Sequence, residues 1–367
     1  MRHPANMNRG LAATLALVLV FVGCADAHII LGWNTEGGNA TGPSCQFTGR
    51  GLTNCGTERE SCCVSLEVTG GTYYRVYDDV DDGGGPLLAP DGGPTGESDP
   101  ATVSGFRLDK YLVTVGRFRR FVAAWNGGAG WTPPAQSGKH AHLNGGKGLN
   151  ATGGGYEPGW TVSDNGNIAP TDANLACNGP LVPILAAGSR YATWTPSAGS
   201  QENLPISCVN WYEAYAFCIW DGGFLPSDAE SEYAAAGGSA QREYPWGSAD
   251  PGTGNLYAIY GCNYPAGSKS CTGVANFAPV GTAARGAGLW GQEDLAGSLW
   301  EWNLDWYASY VTPCTDCANL TAASRRVVRG GDINSGGSLL SPPLRRGNNP
   351  ADKGAYAYGV RCARSPL

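Results

Sequence analysis

A chain of 367 residues with a formal charge of −7 and 15% charged residues has no basic stripe with which to neutralise phosphates, which excludes a nucleic-acid partner. Its 56 glycines and 24 prolines exclude a helical bundle. They fit a loop-rich globular protein, long enough for one large domain or two small ones.

Arg2 and Arg9 precede a short apolar run over 11–23, too brief to span a bilayer comfortably, so residues 1–27 read as an export signal peptide. Two exits stay open. Ala25-Asp26-Ala27 suits ordinary cleavage, whereas Phe21-Val22-Gly23-Cys24 suits a lipoprotein signal over 1–23, with Cys24 lipidated and Phe where Leu is usual. Either exit places the protein outside the cytosol, secreted or in the cell envelope, and a lipidated Cys24 would anchor it to a membrane. Removing Cys24 from the 13 cysteines leaves 12, an even number in an oxidising compartment, and most of these read as disulfides. Cys45, Cys55, Cys62 and Cys63 close a knot in a Cys-rich lead-in over 28–63, with three pairings possible.

Val68–Tyr74 alternates β-formers around Gly70-Gly71 and suits a strand. Residues 78–100 have loop composition, and their acidic run reads as a solvated surface. Phe106, Leu108 and Tyr111 suit a strand, Thr114 an N-cap, and Phe118, Phe121, Val122 and Trp125 one face of the helix that follows. Residues 127–203 read as a long set of loops with Cys177 as a staple. Within them His140 and His142 alternate as on one face of a strand. A three-histidine metal site lacks its third ligand, because the other histidines are His3 and His28.

Trp211, Ala214, Tyr215, Cys218 and Ile219 share a helix face that ends at Asp221-Gly222-Gly223. Ser227 then caps a second helix, with Glu230 at the capping-box position. Cys262 and Cys271 bracket a short loop and read as a pair. Residues 288–307 hold Trp290, Trp300, Trp302 and Trp306 interleaved with Glu293, Asp294, Glu301 and Asp305. That density implies a packed aromatic layer with carboxylates at its edge. Asp294 and Glu301, either side of Gly297, suit a hard cation such as Ca²⁺, which takes roughly six to eight oxygen ligands. Cys314-Thr315-Asp316-Cys317 lacks the strand-to-helix context of a redox site and reads as a small structural disulfide. No second cysteine pair completes a zinc site.

Three blocks carry a resemblance. They are PISCVNWYEAYAFCIWDGGFLPSDAESEYAAAGG with the YPWG after it, GLWGQEDLAGSLWEW, and the ending RRVVRGGD…GVRCAR. They are similar to the formylglycine-generating-enzyme family, the sulfatase-modifying-factor domain, and the resemblance covers about 64–364. It implies a mixed α/β (α+β), loop-rich, C-type-lectin-like fold over 64–367. By the same resemblance Asp294 and Glu301 are side-chain ligands, and Gly297 and Leu299 carbonyl ligands, of a structural calcium. A second calcium site is expected to be missing after Ala275-Asn276-Phe277, where the loop bearing its other ligands is absent. A Cys218–Cys362 disulfide is implied, and a second family bridge is lost as a unit at Ala235 and Arg345.

Family enzymes use two cysteines, five apart, to bind copper(I) and activate O₂ against a substrate cysteine, and soft thiolates suit Cu(I). Counted from Gly330-Gly331, those positions fall on Ser335 and Leu340, and no cysteine lies between Cys317 and Cys362. Copper is therefore not expected, no catalytic residue is assigned, and the chain reads as a pseudoenzyme. Asp332 stands where a small residue lines the family's substrate pocket, and Leu112 replaces an acid near it. Phe224, Asp228 and Ser231 replace Arg, Glu and Trp, changes expected at the surface and pocket lining rather than in the scaffold. The sequence thus points to an exported ligand-binding module. Its groove, lined by Asp332, Ser335 and the 127–203 loops, would take a peptide, glycan or protein ligand. The alternatives are a structural envelope protein and an oxidoreductase with altered chemistry in the same groove.

Overall fold

The computed structural model describes residues 1, 42–77, 96–177, 188–353 and 358–367. The expected export signal, Cys24, His3, His28 and the acidic run over 78–95 lie outside the described residues. In chain order the regular elements are β1 (Ser65–Val68), β2 (Gly71–Val76), β3 (Ser98–Val103), β4 (Phe106–Asp109), α1 (Val115–Trp125), β5 (Asn150–Ala151), α2 (Asp172–Leu175), α3 (Trp211–Trp220) and α4 (Asp228–Ala236). Then come β6 (Trp300–Trp306), β7 (Cys314–Thr315), β8 (Cys317–Ala318), β9 (Arg326–Arg329), β10 (Arg345–Asn348), β11 (Tyr358–Gly359) and β12 (Ala363–Arg364). The strands form small sheets ordered β1-β4-β12, β10-β9-β6-β11, β2-β3-β7 and β5-β8. Long loops join them, so the mixed α/β, loop-rich class holds.

Local chemistry sets the helix limits. The Thr114 side chain accepts from the Arg117 amide and starts α1, which stops where Asn126 turns left-handed at φ 46°. Asn210 and Glu213 cap α3 reciprocally, and Ser227 and Glu230 do the same for α4. Each such box satisfies amides that the first turn leaves without partners. Phe118 and Phe121 of α1 pack on Phe217 of α3, with ring centroids 5.5 and 5.9 Å apart. β6 lies beneath, and its buried indoles find partners. Trp302 donates to the Val209 carbonyl at 2.9 Å, and Trp211 to that of Asn303 at 2.9 Å.

Beside this core lies a buried square of charges. Arg117 reaches Asp109 at 2.9 Å and Asp221 at 2.6 Å, and Arg364 reaches the same two carboxylates at 3.0 and 2.8 Å. Burial works against the Asp109 charge, but Arg364 and Arg117 outweigh it and hold the carboxyl below its ordinary value. The square joins β4, α1, the end of α3 and β12. It also gathers the N-terminal knot, since Ser44 donates its amide to Asp221 and Arg117 donates to the Cys62 carbonyl. Residues 42–63 belong to the same compact unit as the helices and sheets, Gly38–Leu367. Of the three pairings open in the knot, the chain takes Cys45–Cys63 and Cys55–Cys62.

Candidate functional site

The segment after β9 turns sharply at Gly330 and Gly331, with φ of 96° and 77°. A Cβ on Gly331 would sit 3.1 Å from the Leu339 carbonyl, so glycine is the residue this turn accommodates. Asp332 and Ser335 then close on each other. Ser335 Oγ donates to Asp332 Oδ1 at 2.8 Å, and the Asp332 amide donates back to Ser335 Oγ at 2.9 Å. Burial nevertheless raises the Asp332 carboxyl above its ordinary value. Leu340 is buried among Tyr244, Ala258 and Ala296. The sulfurs that touch this turn belong to the Cys262–Cys271 disulfide, which packs against Ile333 and Asn334.

Leu340 also lines a cavity of about 20 Å³, together with Ala235, Leu295, Ser231, Glu301, Arg329 and Arg361. That space holds on the order of one water. The cavity sets Leu340 near Glu301, but Asp332 and Ser335, expected to line a groove, are not among its lining residues, and neither is Asp294.

Glu301 is held in a bidentate pair by Arg361, at 2.9 and 3.0 Å, and Arg361 also donates to the Asp109 and Lys110 carbonyls. Asp294 sits in a left-handed backbone at φ 58° and accepts the Gly281 amide at 2.7 Å. Among the described residues it has no ion pair. Burial pushes its carboxyl up to about 6, with Glu293 and Glu301 adding to the rise. The Gly297 carbonyl accepts the Leu299 amide at 2.8 Å. Among the described residues no three His, Cys, Asp or Glu side chains gather as a metal-binding group. In donor chemistry Asp294, a buried carboxylate without an ion pair among the described residues, is the member of this set open to a hard cation. Glu301 would be shared with Arg361. Asn276, where the second site was expected to be lost, spends its amide on its own turn, accepting from Thr272 at 2.7 Å and donating to the Tyr264 carbonyl at 2.7 Å.

The His140–His142 segment is a turn and not a strand, because His140 is pulled inward by two acids. Its Nδ1 lies 2.9 Å from Glu157 and its Nε2 2.9 Å from Glu230, while Phe224 covers the ring at 3.9 Å between centroids. Burial opposes the charge, but Glu230 and Glu157 outweigh it and raise the imidazolium to about 10. With both nitrogens committed, His140 has no lone pair to offer a metal. The sign of the linkage is definite. A raised folded-state value contributes stability in full below the unfolded value near 6.5, and loses it as pH rises through about 10. His140→Gln is therefore expected to flatten the alkaline limb of a stability–pH profile measured by urea unfolding from pH 6 to 10. An unchanged limb would show that the cluster contributes nothing to that limb.

Two replaced motif residues need correcting. Phe224 and Asp228 were expected at the surface or pocket lining, yet both are buried. Asp228 heads α4 and takes Arg329 at 2.5 Å and Arg345 at 3.0 Å, and Arg329 also pairs with Glu232 at 2.6 Å. Burial pushes Glu232 up to about 8. Ser231 does line the cavity, and Leu112 packs between Tyr111, Cys55, Cys62 and Val280. The structure joins Cys218 to Cys362, Cys314 to Cys317, and Cys177 to Cys208. Sequence reasoning missed the Glu157–His140–Glu230 and Asp228–Arg329–Glu232 clusters, whose members are too far apart in the chain to leave a spacing signal.

The sulfatase-modifying factor enzyme 1-like domain family matches residues 56–366. The chain is 28% identical over 321 residues to a formylglycine-generating enzyme of Thermomonospora curvata, covering 82% of this chain and 93% of that one. It is 34% identical over 173 residues to the inactive C-alpha-formylglycine-generating enzyme 2 of Mus musculus, covering 46% of this chain and 53% of that one. A hercynine oxygenase of Mycolicibacterium smegmatis is 31% identical over 173 residues, 43% of this chain and 37% of that one. Among solved structures, PvdO from Pseudomonas aeruginosa superposes with a TM-score of 0.48 at 17% identity, over 82% of this chain and 94% of that one.

Proposed function

This chain belongs to the sulfatase-modifying factor enzyme 1-like family, and from that premise we propose that it is an exported member that binds a ligand without oxidising cysteine. One observation carries the reading. All twelve cysteines from Cys45 to Cys362 are spent in six disulfides, and by the family spacing counted from Gly330-Gly331 the two copper-thiolate positions would fall on Ser335 and Leu340. A serine hydroxyl is a hard, protonated donor and leucine is none, so neither serves Cu(I). A disulfide sulfur has no thiolate charge to offer. The ligand would engage near the Asp332–Ser335 turn, whose carboxylate and hydroxyl would exchange their mutual hydrogen bond for bonds to it.

Calcium belongs to the same proposal. Asp294 and the Gly297 and Leu299 carbonyls would hold it, with Glu301 shared with Arg361. The ion would supply the countercharge that the buried Asp294 lacks and pin the loop entering β6. Elemental analysis of the purified exported chain, offered Cu(I) and Ca²⁺, is expected to find calcium without copper. Mass spectrometry of a CxPxR peptide incubated aerobically with it is expected to find the cysteine intact. Bound copper with conversion of that cysteine to formylglycine would overturn the proposal.

A further inference from the structure

A second cleft opens where β6 ends and β9 begins, at the paired residues Trp306 and Arg326. Its cavity of about 260 Å³ is walled by Trp160, Trp211, Tyr215 and Trp306, with Leu304 and Leu320 at its base. Arg326 lies between two indoles, its guanidinium carbon 3.7 Å from the Trp211 ring centroid and 3.6 Å from that of Trp306. Nη1 donates to the Leu304 carbonyl at 2.5 Å, while Nε is buried with no hydrogen-bond partner among the described residues. Among the described residues no carboxylate forms an ion pair with this cation. Across the same cavity stands Asp164, half-buried, its carboxyl raised by burial and lowered in part by Arg326. Its side chain takes no hydrogen bond among the described residues. Glu157 lines the cavity too, and among the described residues its Oε1 is buried without a hydrogen-bond partner.

The cleft does not end there. Glu157, Pro158, Trp160 and Thr161 also line an open groove of about 630 Å³, which runs on to Lys139, Lys147 and the exposed ring of Tyr156. An inner chamber of single-ring size therefore continues into a longer channel with an aromatic face.

Charge and hydrogen-bonding capacity select the occupant. A simple cation would be repelled by Arg326, and a simple anion by Asp164, since Glu157 is already paired with His140. A wholly apolar ligand would strip water from Arg326 and Asp164 and return no hydrogen bond, at a cost of roughly 1–3 kcal/mol for each group. What satisfies a donor and an acceptor set in an aromatic wall is a ring with an apolar C–H face and hydroxyls at its edge, since a hydroxyl both donates and accepts. The geometry points to a saccharide site: one pyranose ring enters the chamber beside the Trp211–Arg326–Trp306 stack with its hydroxyls shared between Arg326 and Asp164, and further rings follow the outer groove. This goes beyond the ligand-binding reading above by placing a ligand class in a cleft separate from the Asp332–Ser335 turn. The peptide-oxidation result does not bear on it.

The test is titration of the full exported chain with cellohexaose, chitohexaose and xylohexaose, followed by tryptophan fluorescence and calorimetry. Saturable binding of at least one is expected, with Asp164→Asn about tenfold weaker and Trp306→Ala weaker still. Asp164 is half-buried and takes no side-chain hydrogen bond among the described residues, so its variant reports on the cleft even if the tryptophan variant does not fold. Binding is expected to persist in EDTA. No saturable response to any of the three probes would overturn the proposal, as would an Asp164→Asn variant that binds like the parent. Loss of binding in EDTA would assign the ligand to a calcium-bearing loop and overturn it equally.

Discussion

Replacing Arg117 with methionine is expected to destabilise the protein by about 3–5 kcal/mol, the loss typical of breaking a buried ion pair by removing one partner. Arg117 is fully buried and divides its guanidinium between Asp109 at 2.9 Å and Asp221 at 2.6 Å. It also donates to Ser44 Oγ at 3.1 Å and to the Cys62 carbonyl at 3.2 Å. Methionine fills much of the volume but leaves two carboxylates facing the single cation of Arg364. Lysine at the same position should recover little, because one ammonium cannot reproduce a fork aimed at two carboxylates. Asp109 is held below its ordinary 3.8 in the folded chain. Its contribution is therefore present above that value and lost as pH falls through the lowered one. Urea unfolding of Arg117→Met and Arg117→Lys at neutral pH decides the matter, and midpoints within error of the parent would show that the square is not a stabilising unit.

Removing the Cys218–Cys362 bond, with alanine at both positions, is expected to cost the second large increment. The bond closes a loop across 144 residues of sequence separation, for which the chain-entropy account gives about 5 kcal/mol, with measured losses usually lying between roughly 2 and 5. Its two ends tie the middle of α3 to the residue before β12, so the loop includes α4, β6 and β9. Removing Cys314–Cys317, separated by 3 residues, constrains the unfolded chain far less and should cost only about 2 kcal/mol on the same account. Denaturant midpoints of the two double variants test the contrast. Equal losses would mean that native packing around the cysteines, rather than loop closure, sets the value.

The helix limits could be read directly. Thr114 before α1 and the Ser227–Glu230 box before α4 are local patterns, because a cap acts over three residues and its partners are neighbours in the chain. The α1 face of Phe118, Phe121 and Trp125 follows from helical period in the same way. The family blocks around 205–247, 288–302 and 325–364 were legible for a related reason, being contiguous strings whose packing roles recur as strings.

Other features resisted reading because their partners are distant. His140 looked like half of a metal pair until Glu157, 17 residues away, and Glu230, 90 residues away, closed on its two nitrogens. Phe224 and Asp228 looked peripheral because nothing beside them announces His140, Arg329 or Arg345. Glu301 read as a ligand for a cation, and its pairing with Arg361 depends on β11 lying parallel to β6. The four-cysteine knot allowed three pairings, and only its docking against α1 and α3 selects one.

By itself, then, the sequence determined the long helices, their caps and the Trp-rich layer, since each depends on residue type within a few positions. Tertiary structure alone decided which charges are paired and which are left without a partner. Coulomb attraction and burial act through space, so the state of Asp294 and the unpaired Nε of Arg326 exist only once strands far apart in the chain lie side by side.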